Sequence, residues 1–410
     1  MSPKTAIRAV TGLLALAFVV LVVLVLRSPG RFIYDEPPFV EYVHLLQRHG
    51  LSREFMNSLT GTVGPLYAFV QGALAPLTGV QPVGMRLVNV ALLAAVTLVL
   101  AAWLRHRGST AWTASALSVL AVPMAWVMAG MALSELPAML LVAISLCLQL
   151  KALERIDRPA TVIGLFALSA VALGAAVWGR QPYLLLGGVP VLVALVEPRL
   201  RVAVALFCVI VLALSAPQFL IWQGLVPPSH QLQVQKGLSP VNALLSLGYT
   251  GFCFFLLAPR TRWTSPLWAA VLVVAAVAVN AVLGLVTLEP LRGVVERFLP
   301  ARLLAWYGTL FGGLFLGWGV VFLSWLLRAT WQRRDDLPVV LLNLGLLCVA
   351  LSPVFIGHQY SSRYTAMSLP YLLLAAEPWR RWEPLTVATT AAGIALGAMS
   401  LVGYFLSYGG

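Results

Sequence analysis

Apolar runs of about twenty residues, parted by short polar breaks, repeat along the whole chain. That is the length an α-helix needs to cross the hydrocarbon core of a bilayer, so the pattern predicts an all-α, polytopic membrane helical bundle. The breaks are of two alternating kinds. One kind is short and basic: Arg105-His106-Arg107, the stretch 151–158, Arg199 with Arg201, Arg260 with Arg262, the stretch 328–334, and Arg380-Arg381. With Lys4 and Arg8 these hold 16 of the 27 Lys and Arg residues. Such clusters collect on the cytoplasmic side of a membrane. The intervening breaks, 27–80, 129–136, 178–182, 222–240, 289–302 and 357–364, then face outward; they are rich in Pro, Gly, Gln, His and Tyr, and their arginines stand singly.

About 13 transmembrane helices satisfy this alternation, with the N-terminus inside and the C-terminus outside. The segment 64–79 is also apolar. Counting it as a span would put every later basic cluster outside, so it is expected as an interfacial or re-entrant helix. Residues 9–26 follow Lys4 and Arg8, but the run is long for a signal peptide and no small-residue cleavage site follows; it is read as an uncleaved first helix. The run near 366–376 is short and contains Pro370. No internal repeat is visible. The expected organisation is one integral membrane domain over 1–410: a first outer loop with juxtamembrane helices over 27–80, core helices over 82–223, an outer loop over 224–240 and C-terminal helices over 241–410.

Composition sharpens the picture. Of 410 residues 60% are hydrophobic and 10% charged, whereas soluble domains carry about 25% charged residues; a mean hydropathy of +0.91 makes lipid the solvent. The net charge of +13 sits in the topological clusters and implies no nucleic-acid partner. Cys147, Cys208, Cys253 and Cys348 all lie in apolar runs, without metal spacing or a disulfide framework. The Ala, Leu, Val and Arg usage points to a high-GC bacterium, and hence to an inner (cell) membrane.

The candidate chemistry lies in the outward breaks. The first holds Tyr34-Asp35-Glu36-Pro37-Pro38-Phe39. Adjacent carboxylates beside a membrane are costly unless solvated or paired. Either one could instead cap a helix whose first turn holds the two prolines. That helix would place Phe39, Val40, Val43 and Leu46 on one face, with Glu41, His44 and Arg48 elsewhere, and stop at Gly50: an amphipathic helix on the membrane surface. Next comes the turn Gly64-Pro65-Leu66-Tyr67. Arg86, one turn into the following span, would snorkel or bind an anion. Glu135 is an isolated carboxylate that wants a partner, or else a water-exposed loop acid. Arg180 and Gln181 interrupt a long apolar stretch, Arg363 and Tyr364 stand in a later one, and His230 and Lys236 lie between them. Guanidinium groups bind phosphate oxygens in pairs. A sugar on a lipid phosphate could rest its head here. The cations would steady the leaving phosphate, and a carboxylate would take the proton of the attacking hydroxyl.

The acidic pair after the first helix, the surface helix, the Gly-Pro-Leu-Tyr turn and the following arginine resemble the GT-C superfamily of membrane glycosyltransferases, which use polyprenyl- or dolichyl-phosphate sugars. Arg180-Gln181, Arg363-Tyr364 and Pro370-Tyr371 are similar to points in the dolichyl-phosphate-glucose alpha-1,2-glucosyltransferase family. The likeness covers the first 90 residues best, and Pro37-Pro38-Phe39-Val40 stand where that family often has Phe-His. The resemblance implies a GT-C-like fold and an inverting transferase. It would take a sugar from a polyprenyl-phosphate donor to a glycan, lipid or protein acceptor of the cell envelope, on the extracytoplasmic face. It further implies Asp35 or Glu36 as general base, Arg180 and Arg363 on the donor phosphate, and His230 and Lys236 helping to shape that pocket or contacting the acceptor. Tyr34, Glu135, Tyr67, Arg86, Gln181 and Tyr364 would support the site. No nucleotide sugar is expected and a divalent cation is a possible cofactor; Glu135 would pair with a cation or position such an ion. Two other classes fit the helix count. An O-antigen-type polymerase or ligase would place its largest outer loop late in the chain, and a lipid-sugar flippase or transporter would carry polar groups at mid-membrane.

Overall fold

The computed structural model describes residues 1–231, 237–261, 265–289, 292–296, 298–356 and 360–408; Lys236 lies outside them. Chain order gives α1 (Pro3–Leu26), the short helices α2 (Glu36–His49), α3 (Arg53–Ser58) and α4 (Leu66–Thr78), then α5 (Pro82–His106) and the pair α6 (Trp112–Leu117) and α7 (Pro123–Gly130). There follow α8 (Glu135–Leu153), α9 (Pro159–Val177), α10 (Gly188–Val196), α11 (Arg201–Trp222), α12 (Pro240–Leu257), α13 (Pro266–Leu283), α14 (Ala301–Gln332), α15 (Leu337–Leu351), α16 (Ser362–Ala366), α17 (Leu369–Ala376) and α18 (Pro384–Tyr408).

Among the described residues ten helices are long and apolar enough to cross a membrane, or eleven if the α6–α7 pair, bent by 76°, is one span. The chain is thus a multi-pass helical membrane protein. Its count falls short of thirteen for local reasons. Pro123 holds Val122 in an extended conformation and breaks the α6–α7 span. The segment before α10 winds as a tight 3₁₀ turn over Gln181–Gly187, and the run around Pro370 is divided into α16, α17 and a 3₁₀ turn at Glu377–Trp379. Helix α4, at 13 residues, rises about 20 Å and is too short for a core of about 30 Å, as expected of an interfacial or re-entrant piece.

Apolar side chains on the outer helices point away from the bundle: on α13, Leu267 and Val282 are largely exposed, which suits a lipid solvent. Inside, small residues allow close helix contact. A Cβ added at Gly248 of α12 or Gly319 of α14 would run into the other helix's backbone carbonyl. The bundle has two chemically distinct ends. At one, Arg107 and His106 meet Glu154, Arg199 meets Asp157, and Arg260 meets Glu383. The other gathers the loop after α1, the turn before α8, the turn after α9 and α16.

Candidate active site

The acidic pair divides in two directions. Glu36 opens α2 and is 0% exposed. Its Oε1 accepts from Arg86 Nε (2.8 Å) and the Ala132 amide (2.7 Å), and its Oε2 from Arg86 Nη2 (2.6 Å) and the Ile33 amide (2.8 Å). Arg86 spends its remaining donors on Ser28 Oγ (2.7 Å) and the carbonyls of Pro29 (2.7 Å) and Arg31 (3.0 Å). All five of its N–H groups are used, so this arginine neither snorkels nor presents a donor to a ligand. One helical turn on, Asn89 donates to the carbonyls of Met128 (3.1 Å), Met131 (2.7 Å) and Leu133 (2.8 Å). The first turns of α5 thereby fasten two loops, 28–36 and 128–133, side by side. Tyr67 packs below this lock, its hydroxyl accepting from Gln71 (2.9 Å) and its ring 5.7 Å from that of Phe39.

Asp35 occupies the N-cap position of α2 but makes no capping bond. Its Oδ2 instead accepts from Arg363 Nη2 at 2.5 Å, and its side chain remains 43% exposed. Arg363 Nη1 lies 3.9 Å from Glu135 Oε1, and that same oxygen takes a short hydrogen bond from Arg180 Nη2. Arg180 Nη2 also donates to Ser134 Oγ (2.9 Å). Two carboxylates and two guanidiniums thus form one chain, Asp35–Arg363–Glu135–Arg180, drawn from four of the breaks that lack basic clusters. Burial works against the Arg363 charge, but the Glu135 and Asp35 carboxylates outweigh it and hold its pKa above the ordinary arginine value. Tyr364 sits beside both guanidiniums; burial pushes its phenol pKa up, and Arg363 and Arg180 pull against that shift.

Several buried atoms here have no hydrogen-bond partner among the described residues: Arg180 Nε, Arg363 Nε and Nη1, Gln181 Nε2 and Glu135 Oε2. A buried polar group left unpaired costs about 1–3 kcal/mol. Four of these atoms are donors, carried by two guanidiniums and an amide. Among the described residues no group of three or more His, Cys, Asp or Glu comes together as a metal site.

His230 does not join the cluster. Its turn, Pro228–His230, is tied to the chain after α3 by Ser229, which donates to the Leu59 carbonyl (2.9 Å). The imidazole lies 3.4 Å from Ser229 Oγ, and burial lowers its pKa.

The Gly-Pro turn works as a strut for Arg180. The Gly64 amide donates to the Gly179 carbonyl and the Leu66 amide to the Trp178 carbonyl, both at 3.3 Å. A Cβ on Gly64 would overlap the Trp178 carbonyl oxygen. Gly64→Ala is therefore expected to lower stability by about 1–3 kcal/mol, the usual cost of overpacking, seen as an earlier melting transition in detergent. A variant melting with the parent would mean that this contact is not close.

Tyr34, expected to support the site, borders it together with two residues that the sequence pattern did not single out, Tyr404 and Tyr408. Tyr34 has a left-handed backbone (φ 53°), uncommon for a bulky residue. Its ring meets Tyr404 and Tyr408 of α18 and lies beneath the Arg363 guanidinium. The tyrosines of α18 repeat at i, i+4, but nothing in that spacing told of a partner some 370 residues earlier.

No family model matches the chain, and no curated protein does. Among solved structures it is similar to ArnT from Cupriavidus metallidurans bound to undecaprenyl phosphate, at 18% identity and a TM-score of 0.49, covering 96% of this chain and 77% of that one. The apo form of the same protein aligns at 20% identity and a TM-score of 0.49, over 96% and 76% of the two chains.

Proposed function

We propose that the chain is a membrane glycosyltransferase that moves a sugar from a polyprenyl-phosphate donor to an acceptor hydroxyl on the extracytoplasmic face. The observation that carries this reading is the Asp35–Arg363–Glu135–Arg180 chain, whose guanidiniums keep buried N–H donors without a partner among the described residues. The side of the membrane follows from the positive-inside rule, since the basic clusters occupy the opposite end.

The donor phosphate binds Arg180 and Arg363, which offer charge-assisted hydrogen bonds at fixed angles. Glu135 holds the two cations together and limits their net charge. As the phosphate takes over Arg363, the Asp35 carboxylate is released from its ion pair. Asp35 then accepts the proton of the acceptor hydroxyl while that oxygen bonds to the anomeric carbon. The bond from that carbon to the phosphate oxygen breaks, and the polyprenyl phosphate leaves with the electron pair, steadied by the same guanidiniums. Attack opposite the leaving group inverts the anomeric centre. Glu36 takes no part in this step, because both its oxygens are already saturated.

Membranes containing the protein are tested with a panel of undecaprenyl-phosphate sugars labelled in the sugar. The expected result is movement of label from one of them into a new glycoconjugate, reduced at least about a hundredfold in Arg180→Gln and Arg363→Gln, the scale of losing an electrostatic stabiliser. Label that crosses the bilayer while still on its lipid would establish a transporter instead, and no consumption of any donor by folded protein would remove the reading.

A further inference from the structure

The three tyrosines beside Asp35 make a surface that the reaction outlined above does not use. Tyr34 and Tyr404 have ring centroids 5.0 Å apart at 64°, and Tyr34 and Tyr408 are 5.2 Å apart at 49°. Tyr404 and Tyr408 stack at 6.0 Å and 26°. The group is held in place from both sides. Arg31 Nη2 donates to the Tyr408 carbonyl (3.2 Å), fixing the end of α18 to the loop after α1. Arg363 lies over the Tyr34 ring, its Cζ 5.8 Å from the centroid. Nevertheless Tyr34 is 40% and Tyr408 48% exposed, so the assembly is anchored but not covered.

Aromatic rings at a membrane surface are common as interfacial anchors, and two features distinguish these. Tyr34 keeps a left-handed backbone conformation, which costs a bulky residue on the order of 1 kcal/mol or more and recurs where a side chain must be held for function. The ring so held adjoins Asp35, whose exposed carboxylate is 2.5 Å from Arg363. An aromatic face rich in electron density, bordered by a carboxylate and by phenol hydroxyls, matches the two sides of a pyranose: polarised C–H groups on one face and hydroxyls at its edge. Burial and the Asp35 charge keep the Tyr34 phenol above its ordinary pKa, so it remains a hydroxyl able to donate.

We infer that Tyr34, Tyr404 and Tyr408 form an acceptor subsite that stacks a neutral, hydroxyl-rich sugar ring and presents one of its hydroxyls to Asp35. The acceptor is then a glycan end rather than a bare lipid or protein side chain. The inference rests on the glycosyltransferase reading for the identity of its occupant, and the test separates the two.

The protein in detergent is examined by saturation-transfer NMR with the methyl glycosides of glucose, mannose, galactose and N-acetylglucosamine. In the same preparations, binding of undecaprenyl phosphate is followed by thermal shift. At least one glycoside should bind. Tyr408→Ala, on the exposed last turn of α18, and Tyr404→Ala should each weaken it about 5–10-fold, the scale of one aromatic contact. Tyr404→Phe and Tyr408→Phe should keep binding within about twofold, since the ring does the stacking. Undecaprenyl phosphate binding should persist in all four variants. If undecaprenyl phosphate binds but no glycoside does, or if the alanine variants bind glycoside like the parent, the tyrosines are an interfacial belt only and the subsite is wrong. Failure of undecaprenyl phosphate to bind the parent protein would instead count against the transferase itself.

Discussion

Asp35→Asn is expected to lower sugar transfer by about 10²–10⁴-fold, the contribution of a positioned general base, while the protein still folds and binds its lipid phosphate. The carboxamide is nearly the same size and keeps an oxygen that can accept from Arg363 Nη2, the partner of Asp35 at 2.5 Å. What it lacks is a basic oxygen to receive a proton. The loss should therefore fall on the catalytic rate at saturating donor, with the donor concentration for half-maximal rate changed little. Glu36 offers no substitute: its two oxygens accept four hydrogen bonds inside a site with no solvent exposure. Transfer measured in membranes, alongside the melting temperature of the purified variant, checks both halves of the expectation. Full activity in folded Asp35→Asn would end the assignment of Asp35 as base.

Much of this arrangement was legible in the sequence, for reasons that are physical and local. A span announces itself by length and composition, and the alternation of basic and non-basic breaks sorts the loops into two groups. The loops holding Asp35, Glu135, Arg180 and Arg363 do meet at one end of the bundle. The amphipathic helix itself also followed from spacing, but its apolar residues Phe39, Val40 and Val43 are buried in the protein's own core, and Gly50 (φ 59°) ends it. Partners were not legible. Arg86 finds Glu36 across 50 residues and Arg363 finds Asp35 across 328, and no periodicity reports on pairs so distant. The neighbours Asp35 and Glu36 looked equivalent for the same reason. Consecutive residues at a helix start point about 100° apart, so one faces the bundle and the other its rim. Span continuity failed at the prolines and glycines of 181–188 and around Pro370, where the apolar count is satisfied but the helix is not.

Arg86→Met should be the most damaging single change to the fold, and it should act without touching the reacting groups. Removing the guanidinium leaves the Glu36 carboxylate at 0% exposure with only two backbone amides for company. Breaking one side of a buried ion pair costs about 3–5 kcal/mol. It also removes a donor from Ser28 Oγ and from the Pro29 and Arg31 carbonyls. Glu36→Met should cost a similar amount by stranding the guanidinium. The double replacement is expected to be less harmful than the two losses added together, because the uncompensated charge disappears. It should not reach the parent, since the Ile33 and Ala132 amides still lose their acceptor. Melting transitions of the four proteins in one detergent complete the cycle. Additive losses, or a stable Arg86→Met, would mean that the pair is not coupled as described. Transfer should stay low even in the double variant. The Arg86–Glu36 lock holds the 28–36 loop, and with it Tyr34 and Asp35, against the turn that leads to Glu135. Asp35 can meet an incoming hydroxyl beside the phosphate only while that loop is held.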